Sequence, residues 1–204
     1  MKSKRGKTVR RQPKQRRARM TVQAVLDAVV RLLRREGAEA VTTNRVAEIA
    51  GVSIGSIYQY FPDKRAIFAA LHQRHVREID RMVESTLIEH ATSRLDKMIR
   101  AMVEAMVQAH AGDPELYEVM ATEVPHRADG TPDFAVRLHG AFRLALAARA
   151  DEFKRVRDLD KVAFVLAHMI EALGHGAVLR RPRGMSLEAA KEEAVRAVRA
   201  YLHS

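Results

Sequence analysis

The chain has 204 residues, 47% of them hydrophobic, and no cysteine, so a substantial core is possible while disulfides, thiolate metal sites and cysteine nucleophiles are excluded. The formal net charge is +11, and ten Lys and Arg lie in residues 1–19 without one acid, leaving 26 basic against 25 acidic residues elsewhere. Such a cationic block repels itself, which predicts a disordered arm over 1–19 whose natural partner is a polyanion. Absence of cysteine, and of an apolar run after the basic N-terminus that could act as a signal peptide, points to a cytoplasmic protein.

From residue 20 onward the pattern reads as helix, with no run of alternating apolar and polar residues bounded by turns. Thr21 is positioned to cap a first helix in which Val22, Val25, Leu26, Val29, Leu32 and Leu33 recur at helical spacing until Gly37. A second, short helix follows Thr42-Thr43, turns Val46, Ala47, Ile49 and Ala50 inward, and ends at Gly51. Ser53 is positioned to cap a third that reaches Tyr60, and Asp63, after Pro62, a fourth that begins near Lys64 and carries Ile67, Phe68 and Leu71 inward. Further breaks fall at 112–114, 128–132 and 180–184, and one long helix is expected from Asp133 to about Arg157. The expected fold class is all-α, with a three-helix head over 20–66 and a larger helical domain over 67–204.

Gly51-Val52-Ser53-Ile54-Gly55 matches G-x-S-x-G, the pattern around a hydrolase's nucleophilic serine. A nucleophile elbow needs a strand before the serine, and here a short helix precedes it. The same residues suit a helix-turn-helix: Gly51 takes a left-handed turn, Val52 fills the gap between the helices, and Ser53 caps the second by accepting an N–H near Ser56. Ile57 and Phe61, four apart, face inward, which leaves Gly55, Ser56, Tyr58 and Gln59 outward. Gly55 permits close backbone approach, Ser56 and Gln59 offer hydrogen bonds to base edges, and the Tyr58 hydroxyl reaches a phosphate.

The run from Thr42 to Lys64 resembles the DNA-binding signature of the TetR family of bacterial transcriptional regulators. The likeness covers about residues 22–68. It rests on the frame Thr43-x-x-x-Ala47-x-x-Ala50-Gly51-Val52-Ser53, the Tyr58-x-Tyr60-Phe61 ending and the following Lys64. The resemblance implies a homodimer that binds double-stranded DNA at a palindromic operator, represses, and is released by a small, largely apolar effector. Carried over by position, Thr43 and Asn44 contact the backbone or an edge base. Ser53, Ile54, Gly55, Ser56, Tyr58, Gln59 and Tyr60 form the recognition surface, and Lys64 meets a phosphate. Ile54 departs from the family where some members carry a polar reader, and the basic arm is longer and denser than the family needs. Residues 20–66 themselves carry a net charge of only +1. The arm is therefore expected to supply much of the salt-sensitive affinity.

Residues 67–204 hold 20 basic and 20 acidic residues. The stretch Val162–Leu179 is apolar around most of its circumference, yet His168, Glu171, Gly174 and His175 at its centre argue against a membrane span. Together with the amphipathic segment 186–202 it is expected to build a dimer interface, also the family's usual arrangement, through Val162, Val165, Met169, Leu173, Ala177, Ala194, Val195, Val198 and Leu202. Met98, Met102 and Met106, with Tyr117, Met120, Phe134, Phe142 and His168, are candidates for an effector pocket, since methionine adapts to varied apolar ligands. His168, Glu171 and His175 share one helix face but lack a fourth ligand. No dinucleotide fingerprint, phosphate loop or H-E-x-x-H is present, so neither a metal nor a cofactor is expected, and no enzyme. Two alternatives stand beside the ligand-responsive repressor: a DNA-binding regulator of the same fold without a small-molecule inducer, and a serine hydrolase using Ser53.

Overall fold

A computed structural model describes residues 12–112, 114–123, 134–152 and 158–203. The arm over 1–11 and the side chains of Met120, Glu123, His126 and Phe134 lie outside the described residues. Every regular element among those described is helical. Contacts divide the chain into a unit ending at Leu71 and a second beginning at His72.

The first unit contains α1 (Gln12–Glu36), α2 (Thr43–Ala50), α3 (Ile54–Tyr60) and the start of α4 (Lys64–Glu89). Most of the residues predicted inward form its core: Val25, Leu26, Val29, Leu32 and Leu33 from α1 are buried with Val46, Ala47, Ile57, Phe61, Ile67 and Phe68, whereas Val22, Ile49 and Ala50 are half-buried. Helix α1 is longer than expected. It begins at Gln12, so 12–19 are helical, and Thr21 lies inside the helix with its hydroxyl donating to the Arg17 carbonyl at 3.0 Å. Nothing in 12–20 breaks a helix after Pro13, which is tolerated in a first turn. Gly37 ends α1 with φ 79°, and its N–H donates to the Leu33 carbonyl at 3.1 Å. Ile67, Phe68 and Leu71 are buried, which carries this unit five residues past the boundary expected at 66.

The second unit holds the remainder of α4 with α5 (Leu95–Ala111), α6 (Pro114–Glu123), α7 (Phe134–Ala147), α8 (Leu159–Leu179) and α9 (Leu187–His203). Helix α8 is central and packs on α5, α6, α7 and α9. Asp158 caps it by accepting from the N–H groups of Asp160 and Lys161, and Ser186 caps α9 by accepting from Ala189. By length and a mean hydropathy of 1.6, α8 is the one described helix that could cross a membrane, yet its inner face is taken up by its neighbours.

Helix α7 ends ten residues before the expected Arg157. The cause is Arg149, which is 6% exposed. Its guanidinium donates to the carbonyls of His90, Ala91, Ser93 and Ala145 at 2.7–3.0 Å. These bonds tie the end of α7 to the turn between α4 and α5. Three residues on, the Glu152 carboxylate accepts the N–H of Leu95 at 2.9 Å and caps α5.

Helices α5 and α8 come close at Gly174, where an added Cβ would lie 2.6 Å from Cγ of Met106. A methyl group there forces Met106 and the adjoining turn of α5 to move. Gly174→Ala is expected to lower the unfolding free energy by about 1–3 kcal/mol, the range of an overpacked core, as a lower urea midpoint at an unchanged slope.

Candidate nucleic-acid interface

The turn between α2 and α3 is built from a few backbone groups. Thr42 caps α2 by accepting the Arg45 N–H at 3.2 Å. Gly51 ends that helix in the left-handed region at φ 66°, ψ 33°. Its N–H and that of Val52 donate to the carbonyls of Glu48 and Ala47, at 3.2 and 3.1 Å. Arg31 on α1 donates to the Ile49 carbonyl at 3.2 Å and so satisfies another free end of α2. Ser53 then caps α3: its Oγ accepts the Ser56 N–H at 3.1 Å and lies 2.8 Å from Ser56 Oγ. Asp63 caps α4 by accepting the Ala66 N–H at 2.8 Å.

Ser53 is therefore preceded and followed by helix, and its hydroxyl is engaged in capping. The strand-to-helix elbow that activates a serine nucleophile is not formed around it.

Helix α3 buries Ile57 and Phe61 and exposes the face expected from the sequence. Ile54 is 38% and Tyr58 54% exposed; Ser53, Gly55 and Gln59 are exposed, and Ser56 and Tyr60 half-buried. Asn44 at the start of α2 is exposed and Thr43 beside it half-buried. The hydroxyls of Thr43 and Tyr58 lie 3.4 Å apart, joining the two helix faces into one surface. Among the described residues, leaving aside its chain neighbours and its own helix backbone, the nearest atom to a Cβ built on Gly55 is Ser53 Oγ at 3.9 Å, so that glycine is not required by packing within the chain. Lys64 is placed differently from expectation. Its ammonium donates to the Ala38 carbonyl at 3.3 Å and sits 5.4 Å from the centre of the Phe68 ring.

An open groove of about 600 Å³ runs beside α3, lined by Ser53, Ser56, Gln59 and Tyr60 and, from α1, by Arg17, Ala18 and Thr21. The sequence reading set Arg17 apart in the arm and used Thr21 as a cap. Their i, i+4 spacing, continued backwards from the helix that was recognised, is the signal that places both on one face.

The second unit brings together groups scattered in sequence. Tyr117 of α6 is hydrogen-bonded to Nε2 of His75 on α4. The ring of His110 on α5 lies 4.2 Å from Tyr117 and 4.3 Å from His175 on α8. His110 is 1% exposed. Its Nδ1 lies 2.6 Å from the Met106 carbonyl oxygen, which can only accept, so Nδ1 carries the proton. Its Nε2 is buried without a hydrogen-bond partner among the described residues, a state that costs about 1–3 kcal/mol.

Burial pushes the His110 imidazole down to about 4, helped by repulsion from His175 and opposed by the Met106 carbonyl. Burial likewise pushes His75 down to about 3, with repulsion from His110, His72, His175 and Arg74 added. Burial and the Glu171 charge raise Tyr117 above its ordinary range. At neutral pH these groups are two neutral imidazoles and a phenol.

Of the pocket candidates, Met106 and Tyr117 meet at this cluster. Met98, Met102 and Phe142 are fully buried, on the inner faces of α5 and α7. His168 is not with them: it is exposed, donates Nδ1–H to the Phe164 carbonyl at 2.8 Å, and lies against the Phe164 ring. His75 and His110 were missed as members of the site because helical spacing relates residues on one helix, whereas this cluster draws on four.

Six of the expected interface residues, Val162, Ala177, Ala194, Val195, Val198 and Leu202, are at most 6% exposed and belong to the chain's own core. The outward face of α8 instead presents Phe164, His168 and Ala172 as exposed residues, with Val165, Met169 and Leu173 half-buried.

The two lowered histidines make stability pH-dependent. Below the unfolded value of about 6.5 the unfolded chain binds protons that the folded chain refuses, so stability is full above that pH and falls toward about 4 and about 3. At pH 5 each group removes roughly 2 kcal/mol relative to neutral pH. Urea unfolding of a His75→Gln/His110→Gln variant should show a loss between pH 7.5 and 5 smaller by about 4 kcal/mol than that of the parent chain.

Residues 25–71 match the family described as "Bacterial regulatory proteins, tetR family", and residues 95–202 match "Tetracyclin repressor-like, C-terminal domain". The chain is 28% identical over 180 residues to the HTH-type transcriptional repressor AcnR of Corynebacterium efficiens, a match spanning 83% of this chain and 86% of that protein. A TetR-family transcriptional regulator from Streptomyces coelicolor superposes with a TM-score of 0.63 at 28% identity, over 89% of this chain and 97% of that one. The regulator FadR of Bacillus subtilis, solved in complex with stearoyl-CoA, shares the fold at 18% identity, with a TM-score of 0.59 over 89% and 99% of the two chains. With both units matched and a helix-turn-helix in the first, the chain belongs to the TetR family of bacterial transcriptional regulators and is a DNA-binding transcriptional regulator.

Proposed function

We propose that the protein is a cytoplasmic repressor that binds a near-palindromic operator as a homodimer and is released by a small, largely apolar effector. The observation that carries the DNA reading is the exposed face of α3, held by the Gly51 turn and the Ser53 cap with Thr43 and Tyr58 adjoining. Gln59 and Ser56 are the base-edge readers, Ile54 a contact to a thymine methyl, and Thr43, Asn44 and Tyr58 the phosphate contacts. Lys64 leaves the Ala38 carbonyl for a phosphate when DNA arrives, since a charge-assisted bond replaces a weaker one. Arg17 extends the positive surface along the same groove.

Homodimerisation is supported by the outward face of α8, where a 53%-exposed Phe164 heads the row continued by Val165, His168, Met169, Ala172 and Leu173. That surface pairs with a second copy of itself about a two-fold axis, which presents two α3 helices to successive major grooves. Effector response is supported by the buried cluster between α4, α5, α6 and α8. The stearoyl-CoA held by the B. subtilis neighbour is consistent with a long apolar ligand in this fold. Helix α4 carries His75 of that cluster and begins at Lys64 of the head, so it is the lever. An effector that binds better to a conformation with wrongly spaced α3 helices lowers operator affinity.

Selection of random duplex DNA by the purified protein at physiological salt, followed by sequencing, is expected to enrich a near-palindrome with half-sites about one helical turn apart. Enrichment of no sequence would refute the operator reading. On the selected site, Gly55→Ala is expected to leave the unfolding midpoint unchanged and to weaken binding at least tenfold by gel shift. Equal affinity would show that DNA does not approach Gly55. Removing residues 2–11, which leaves α1 whole, should flatten the dependence of log K on log salt without changing the preferred sequence, and an unchanged slope would assign the salt-sensitive contacts elsewhere.

A further inference from the structure

The effector reading leaves open what chemistry the regulatory domain selects. We infer that His110 selects an uncharged, otherwise apolar effector bearing a hydrogen-bond donor, a hydroxyl or amide N–H, delivered to its Nε2. The inference rests on the effector reading above and concerns the same cluster.

Nδ1 of His110 faces a carbonyl oxygen at 2.6 Å and must donate, so Nε2 presents a lone pair. That lone pair is buried and has no partner among the described residues. A group in that state is a selective receptor: a ligand with a donor satisfies it, and an isostere without one leaves it unsatisfied.

The surroundings fix the rest of the chemistry. The Tyr117 ring lies tilted at 51° and the His175 ring at 76° to His110, so apolar ring surface adjoins the acceptor. The groups facing the cluster are His72, Arg74 and His75 from α4, Tyr117 from α6, and Glu171 and His175 from α8. An anion is repelled by the lone pair and penalised by burial, and Arg74, a cation facing the cluster, is already paired with Glu78 at 4.0 Å. A cation gains little, because Glu171 is already engaged within the chain and burial penalises any added charge. Among the described residues no three metal-ligating side chains are grouped to hold an ion, so the acceptor has no metal arranged around it. A neutral donor on an apolar body is the chemistry that remains.

The test uses the full chain with ¹⁵N-labelled histidine and three matched probe pairs: 1-octanol, 4-pentylphenol and borneol, each beside its methyl ether, with octylamine as the cationic control. At least one hydroxyl probe is expected to bind at least tenfold tighter than its ether. That probe alone should shift the His110 Nε2 resonance in the direction of an accepted hydrogen bond. His110→Phe should abolish the preference, and His110→Gln, which keeps an acceptor, should restore part of it. The resonance shift is read on the unsubstituted protein, so the test survives a variant that fails to fold.

Equal affinities within every pair, no binding by any hydroxyl probe, preference for octylamine, or a preference that persists in folded His110→Phe would each overturn the inference. Operator binding separates this failure from that of the parent reading. Ethers that release DNA as well as alcohols would uphold the effector reading and defeat the role of His110. A hydroxyl probe that binds at His110 and leaves DNA binding unchanged would uphold the site and defeat the effector reading.

Discussion

Gly51 sits at φ 66°, ψ 33°, and the recognition face depends on that single backbone conformation. A Cβ there would meet nothing within 4 Å, so the demand for glycine is one of backbone strain and not of space. The turn closes with Gly51 and Val52 donating back to α2, and the chain re-enters helix two residues later at the Ser53 cap. With no slack in the turn, the direction of α3 follows from α2. Ile57 and Phe61 then anchor α3 against the head, and what remains outward is Ile54, Gly55, Tyr58 and Gln59. The orientation of this short exposed helix is thus set by its ends.

The second unit is organised around one helix with two kinds of apolar face. The inner residues of α8, among them Val162, Leu166 and Ile170, are buried against its neighbours, and Gly174 lets α5 come close at Met106. Phe164 and the residues in line with it are left on the outside. A helix apolar nearly all round is expected when two different partners cover it. Here the chain itself covers one side and leaves the other exposed.

Polar groups inside the same domain are handled in two ways. Arg149 is buried with every guanidinium nitrogen bonded to a carbonyl, four acceptors in all, and it ends α7 and secures the α4–α5 turn. His110 is buried and half-satisfied, with one nitrogen bonded and one not. A saturated buried group stabilises the fold, whereas an unsatisfied one is tolerated where it serves binding. Arg149 thus serves the fold, whereas His110 keeps one nitrogen without a partner among the described residues.

The local parts of this protein were legible in its sequence. Helix ends at Gly37, Gly51, Ser53 and Asp63, and the inward faces of α1 to α4, follow from capping chemistry and a 3.6-residue period, which relate residues a few positions apart. The family signature, being local too, was readable for the same reason. The start of α1 at Gln12 was hidden because a self-repelling charge run reads as disorder, although nothing in 12–20 after Pro13 breaks a helix. Other features were decided only by tertiary structure. Helix α7 stopped at Ala147 because Arg149 found acceptors more than fifty residues away. Val198 and Leu202 entered the core, and not an interface, because an amphipathic stripe does not name the surface that will cover it. The meeting of His75, His110, Tyr117 and His175 joins four helices, and periodicity within one helix cannot report which helices will meet.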